Sequence, residues 1–204
     1  MVMKLVHMIT KGKVYAVLIL GDGVFDERVV NALSKRFDHR GILLSPRIRP
    51  RKTGLKGSIE TIAFLVNRKL VYNTILLVID KEHIGSINEL ADYLKEYGFS
   101  ITGELIKLND YSWKIMVSRG SFYGCIYVSI QGFRKCIEEN IVELISLLYG
   151  VSVKAIEPTR ASIKRFLKMK NTSLEEIIEK AGEEILFKAF PGLYSVLKDL
   201  YLTT

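Results

Sequence analysis

The sequence predicts a three-layer α/β fold, a mostly parallel sheet with helices on both faces, followed by a helical C-terminal extension. Two observations carry this. The apolar runs VYAVLIL at 14–20 and TILLVID at 74–80 have the length and near-continuous hydrophobicity of strands buried on both faces. Between and after them lie segments with apolar residues at helical spacing, so strand and helix alternate as they do in β/α units.

Taken in order, residues 13–20 read as a strand and 26–37 as an amphipathic helix with Val29, Val30, Leu33 and Phe37 on one face. A second strand is read at 41–45. Residues 58–69 read as a helix carried by Ile59, Ile62, Ala63 and Val66, leading through Tyr72 and Asn73 into TILLVID. INELADYLKEYG is a helix closed by Gly98 as its C-terminal cap. Beyond it FSITGELIKL, SWKIMVS and FYGCIYVSI are three strand-like segments, separated by LNDY and RGS turns, that could extend the sheet antiparallel. From Arg134 onward the chain reads as helical. FRKCIEENIVELISLLYG comes first, then a helix after Pro158, then one opened by Ser173, whose spacing to Glu176 is that of a reciprocal capping box, then a last helix after Pro191 and Gly192. A soft boundary near Gly150 divides an α/β domain, 1–150, from a helical extension packed on it, 151–204.

The composition, 49% hydrophobic and 25% charged, is that of a globular protein. The apolar runs are too short to cross a bilayer, and MVMKLVHMITKGK lacks the apolar stretch and cleavage site of a signal peptide, so a cytoplasmic protein with no membrane partner is expected. Cys125 and Cys136 fit neither a disulfide framework nor a zinc site and read as packing residues. A single glutamine, Gln131, beside abundant Ile, Lys and Glu resembles hyperthermophile composition. No phosphate-binding G-x-x-x-x-G-K-[ST] loop and no serine-nucleophile motif occurs, which argues against a P-loop NTPase or a serine hydrolase.

The net charge of +8 is unevenly placed: residues 1–60 hold twelve Lys or Arg against five Asp or Glu. Much of it falls in PRIRPRKTGLKG, where Arg47, Arg49 and Arg51 alternate with Ile48 and Pro50, followed by Lys52 and Lys56. In an extended segment the three guanidinium groups point the same way, a row suited to a phosphate backbone; a solvated basic loop is the plainer reading. TRASIKRFLKMK places Arg160, Lys164 and Lys168 four residues apart, opposite Ile163, Phe166 and Leu167, so one face of that helix is a basic stripe adequate for nucleic-acid phosphates, with a solvated helix face as the plainer reading. Trp113, Tyr111, Phe122, Tyr123 and Tyr127 lie in the strand region, where alternating aromatics are core residues more often than base-stacking platforms.

Acidic residues stand at the ends of the two clearest strands. After the first comes Asp22-Gly-Val-Phe-Asp26-Glu27, and after TILLVI comes Asp80-Lys81-Glu82-His83-Ile-Gly85. The C-terminal edge of an open α/β sheet is where ligands bind. Two carboxylates one residue apart there can reach one Mg²⁺, which keeps several waters and needs few protein oxygens. A third carboxylate can then act as general acid or base.

These residues resemble the Toprim family, whose pattern is an acidic residue, Gly, two variable residues and Asp after a first strand, then D-x-D-x-x-G after a later one. Asp22-Gly23-x-x-Asp26 and Asp80-x-Glu82-x-x-Gly85 match it over about residues 13–98. The resemblance implies a Toprim-like, Rossmann-like fold and Mg²⁺- or Mn²⁺-dependent phosphodiester chemistry on DNA or RNA, of nuclease type. It implies Asp80 and Glu82 as metal ligands, Asp22 as proton relay or further ligand, Asp26 as support, and Arg47, Arg49, Arg51, Lys52 and Lys56 as nucleic-acid contacts. Both motifs depart from the pattern, since Asp22 is one methylene shorter than the family's Glu and Glu82 one longer than its Asp. The two changes could compensate, or could mark a fold that kept its shape and lost the chemistry.

Three further residues border this set. Lys81 could contact a phosphate or moderate repulsion between its neighbours, and His83 could touch phosphate or be structural. Glu138, with Glu139, opens a helix; some Toprim-type nucleases carry an extra acid downstream, and favourable charge at a helix N-terminus is the plainer account. Two rival functions stay open: a non-catalytic nucleic-acid-binding or assembly protein on the same fold, and a flavodoxin-like small-ligand domain.

Overall fold

Alternation along the strands sets the layers. In β2 (Lys13–Leu20) Ala16 and Leu18 are buried on one face of the sheet and Val17 and Ile19 on the other. The same division runs through β4 (Thr74–Asp80) and β7 (Phe122–Gln131): Leu76, Val78 and Tyr127 share the first face, and Ile75, Leu77, Val128 and Ile130 the second. Successive strand side chains point to opposite faces, so a run that is apolar throughout needs cover on both.

The computed structural model describes residues 4–6, 13–20, 24–37, 41–45, 54–69 and 72–203. With β1 (Lys4–Val6), β3 (Gly41–Leu44), β5 (Ser100–Asn109) and β6 (Ser112–Arg119), the described strands form one sheet of order β1-β3-β2-β4-β7-β6-β5. The first five in that order are parallel, and β6 and β5 follow antiparallel.

The second face is covered by α2 (Gly54–Asn67) and α3 (Ile87–Glu96), through Ile59, Ile62, Leu90 and Leu94. The first face carries α1 (Val24–Ser34) and α4 (Ile137–Tyr149), and over and around them α5 (Arg160–Met169), α6 (Leu174–Lys180), α7 (Glu183–Ala189) and α8 (Pro191–Thr203). Val29, Leu33, Ile141, Ile177, Phe190, Leu193 and Leu197 are all in that one core. Each such side chain contributes about 1.5–3 kcal/mol on full burial.

The α/β class with a mostly parallel sheet and C-terminal helices is therefore the observed one, with local corrections. Of the three segments expected to extend the sheet antiparallel, the last, β7, runs parallel to β4, with Asp80 opposite Gln131. It takes the inner place because it is buried from Gly124 to Gln131, whereas β5, exposed along much of its length, takes the edge. Helix α2 starts at Gly54, four residues before its expected start, because Leu55 is drawn into the core at 3% exposure. Helix α7 and the short β1 carry no sequence reading, and α8 includes Pro191 and Gly192 rather than following them. The capping box of α6 is half formed. Glu176 N–H donates to Ser173 Oγ, but the Glu176 carboxylate accepts from Thr172 Oγ1.

Helix α8 lies close on the sheet. A Cβ at Gly192 would sit 2.5 Å from the Tyr111 carbonyl oxygen. Asn109 Nδ2 donates to Pro191 O and Ser195 Oγ, and Asp199 accepts from Tyr127 Oη at 2.6 Å and from Lys114 Nζ at 3.1 Å. At the other end of this layer, Arg28 on α1 donates two bonds, 2.8 and 2.7 Å, to the Glu175 carboxylate on α6. No described helix is long and apolar enough to cross a membrane.

Candidate active site at the strand ends

Asp80 is the last residue of β4 and is 8% exposed. A carboxylate so placed needs hydrogen-bonding compensation. Part of it comes from α4, whose first residue, Ile137, donates its N–H to Asp80 Oδ1 at 3.1 Å. The helix N-terminus brings its otherwise unsatisfied amides and positive dipole end to this carboxylate.

The chain then makes a single 3-10 turn, Lys81–His83. Glu82 N–H donates to Lys135 O at 2.9 Å, which ties this turn to the loop between β7 and α4. The Glu82 carboxylate lies toward solvent, 3.8 Å from Lys135 Nζ. Lys81 is half-buried, and the His83 ring lies against the start of α2, with Nδ1 3.6 Å from the position a Cβ would take on Gly54.

The β7–α4 loop is held from within. Glu139 Oε2 accepts the backbone N–H groups of Phe133, Arg134 and Lys135 at 2.8, 2.7 and 3.0 Å. Asn140 accepts from Gly132 N–H and donates to Ala189 O, joining the loop to the end of α7. Gly132 has φ of +81°, a left-handed conformation that glycine adopts without steric cost. A loop so fastened gives Asp80 a fixed partner.

Glu138, in the first turn of α4, is 7% exposed and accepts from Arg160 Nε at 3.0 Å. Between it and Asp80 lies Cys136, whose thiol is pushed up to about 12 by burial, by its hydrogen bond to Glu138 and, to a lesser degree, by the charge of Asp80. One thiol thus feels both carboxylates. Arg160 also reaches the first motif, with its guanidinium 5.9 Å from the centre of the Phe25 ring. Phe25 and Asp26, both buried, open α1, and Arg28 approaches the same ring at 5.8 Å.

The remaining sequence candidates divide in two. Asp22, Arg47, Arg49, Arg51 and Lys52 lie outside the described residues. Lys56 is described and engaged elsewhere: its ammonium pairs with Glu96 at 2.9 Å and lies 5.6 Å from the Tyr93 ring centre, on the α3 side. Sequence reasoning places Arg160 on a basic stripe suited to phosphates and gives Asn140 no role, and it joins neither to this site. Their partners are 22 and 49 residues away in the chain, and no spacing rule connects them.

The chain matches no family model, no curated protein and no solved structure. The reading of the site therefore rests on its own chemistry. Asp80 and Glu82 offer hard oxygen donors one residue apart at a strand end, the donor type that Mg²⁺ or Mn²⁺ takes. Among the described residues no group of three His, Cys, Asp or Glu side chains is gathered as a metal cluster. Mg²⁺ binds through as few as one or two carboxylates, with water filling the rest.

Proposed function

We propose that this chain is a Toprim-like, Mg²⁺- or Mn²⁺-dependent protein acting on nucleic-acid phosphodiesters, with nuclease-type hydrolysis as its reaction. The supporting observation is the burial of Asp80 at the C-terminal end of the central strand, fastened to the first turn of α4 where Glu138 is buried too. Parallel sheets bind ligands at this edge.

In this reading Asp80 and Glu82 hold the ion, and Asp22 relays a proton or adds a ligand. When bound, the ion would supply Lewis-acid stabilisation of charge on the non-bridging phosphate oxygens and would acidify water. Asp80 is oriented by the Ile137 amide, so its position does not depend on the ion. Asp26 supports the first motif from within α1. Arg47, Arg49, Arg51 and Lys52 contact the backbone, and Lys56 joins them only by leaving Glu96.

A second reading, a non-catalytic nucleic-acid-binding or assembly protein, draws support from the engagement of the same acids, Asp80 with the α4 amide and Glu82 with Lys135. The test is incubation of purified protein and Asp80→Asn with single- and double-stranded DNA and RNA, with and without Mg²⁺ or Mn²⁺. Metal-dependent cleavage that falls below detection in Asp80→Asn is expected. Salt-sensitive binding without cleavage, indifferent to Asp80→Asn and weakened when Arg47, Arg49 and Arg51 are neutralised, would favour the second reading. No binding and no cleavage would sink both.

A further inference from the structure

Helix α5 is the most one-sidedly charged described helix in this chain. Its sequence, RASIKRFLKM, holds Arg160, Lys164, Arg165 and Lys168 and no acid. The solvent-facing helices α3, α6 and α7 mix both signs, as INELADYLKE, LEEIIEK and EEILFKA. A helix face that is basic only to stay solvated has no reason to exclude carboxylates, because i,i+4 acid–base pairs would stabilise it. Ile163, Phe166 and Leu167 are buried beneath, so the helix is docked by its apolar face, while Arg160, Lys164, Arg165 and Lys168 are exposed.

The stripe also has a direction. Arg160, Lys164 and Lys168 follow one another at about 6 Å along the helix axis, four residues at about 1.5 Å each. The first of them is at the candidate active site, paired to Glu138 and 5.9 Å from the Phe25 ring centre. A cation in the first turn of a helix opposes the macrodipole, so its position there is not explained by helix stability. The Glu138 side chain beneath it, 10% exposed against 54% for the Arg160 side chain, holds it at the site.

We propose that the basic face of α5 is a track for a nucleic-acid strand, with Lys164 and Lys168 holding successive phosphates and Arg160 gripping the phosphate nearest the acidic strand ends. The proposal rests on the nucleic-acid reading above and adds where the strand runs. It also gives the C-terminal helices a part in substrate binding, since α5 lies outside the segment that carries the two acidic motifs.

The test is fluorescence anisotropy of a short labelled single strand, DNA and RNA in parallel, across a series of salt concentrations without divalent metal. The proteins are wild type, Lys164→Gln/Lys168→Gln, Arg160→Ala and Arg160→Lys, with thermal unfolding as the folding control. Loss of two phosphate contacts should make the slope of log affinity against log salt shallower by about 1.4 in the double variant. Arg160→Ala should weaken binding and Arg160→Lys, which keeps the positive charge, should largely restore it, while an unchanged unfolding midpoint in both separates a phosphate contact from a merely structural role. If wild type binds with a salt-dependent affinity and the double variant keeps the same slope, the track is wrong while the nucleic-acid reading stands. If wild type binds no strand even at low salt, both fall. Loss of binding to phosphatidylserine vesicles in the double variant, with strand binding unchanged, would overturn the proposal in favour of a membrane surface.

Discussion

Cys136 occupies a position that ordinarily activates a thiol. It is the N-cap of α4, where amide dipoles favour a thiolate. Here the opposite holds, because burial comes first, the hydrogen bond to Glu138 comes second, and together with the charge of Asp80 they push the thiol up to about 12. Cys125, buried beneath α8, is pushed up to about 11, chiefly by burial. Neither cysteine should react with a thiol reagent in the folded protein near pH 8, where an unperturbed thiol with pKa about 8.5 already does. Glu138→Gln removes one of the causes and should bring Cys136 into reaction at a lower pH than in wild type, while Cys125 stays inert. Labelling followed by mass spectrometry across a pH series checks this; equal labelling profiles for wild type and Glu138→Gln would show that the two side chains do not interact. The sequence allowed Asp80 to be picked out, since a D-x-E pair closing an apolar run is a local pattern. The company it keeps was not legible. Glu138 looked like ordinary helix-terminal charge, and its pairing with Arg160 depends on how α5 is carried over α4.

At the scale of elements, what was legible followed from periodicity, and what was not followed from tertiary contacts. Strands β2 and β4 were read at their observed bounds because a short, wholly apolar run has few alternatives. The place of β7 beside β4 was not read, since register between distant strands leaves no mark in either one alone. Helix α7 leaves no mark in the sequence because seven residues between Gly182 and Phe190 span barely two turns, too few for a helical period to declare itself. The docking of α8 was hidden in one residue. Gly192 in a helix costs about 1 kcal/mol relative to Ala on propensity alone, so Gly192→Ala should stabilise an isolated helix. In this chain it should do the reverse, because the added Cβ would lie 2.5 Å from Tyr111 O and 3.1 Å from Ile130 O, both backbone atoms of the adjoining sheet region. We expect a net loss of about 1–3 kcal/mol, the range for overpacking a closed site. Urea denaturation monitored through Trp113 measures it. An unchanged or higher midpoint would mean that α8 stands off the sheet.

The whole molecule poses the question of whether residues 151–204 are an attachment or a layer. A boundary near Gly150 is natural in the sequence, and Gly150 does close α4 in a left-handed conformation with φ of +65°. Yet Ile163, Ile177, Phe190, Leu193, Val196 and Leu197 belong to the same core as Val29, Leu33, Leu76 and Ile141. If the C-terminal helices were removed, one face of the sheet and the outer sides of α1 and α4 would meet water. Exposing half a dozen such side chains, at about 1.5–3 kcal/mol each, is comparable with the about 5–15 kcal/mol by which a domain is stable at all. The two bonds from Arg28 to Glu175 and those from Arg36 to the carbonyls of Glu179 and Ala181 would go as well, although ion pairs this exposed contribute no more than about 1 kcal/mol. The full chain should therefore unfold in one cooperative transition, coincident by far-UV circular dichroism and by Trp113 fluorescence. A fragment ending at Gly150 should show no cooperative transition and should bind a hydrophobic dye, and separately produced 151–204 should restore the transition when mixed with it. A fragment that melts sharply alone would make the C-terminal helices a true appendage. In that case the position of Arg160 beside Glu138 would have to be maintained by far weaker contacts than the shared core provides.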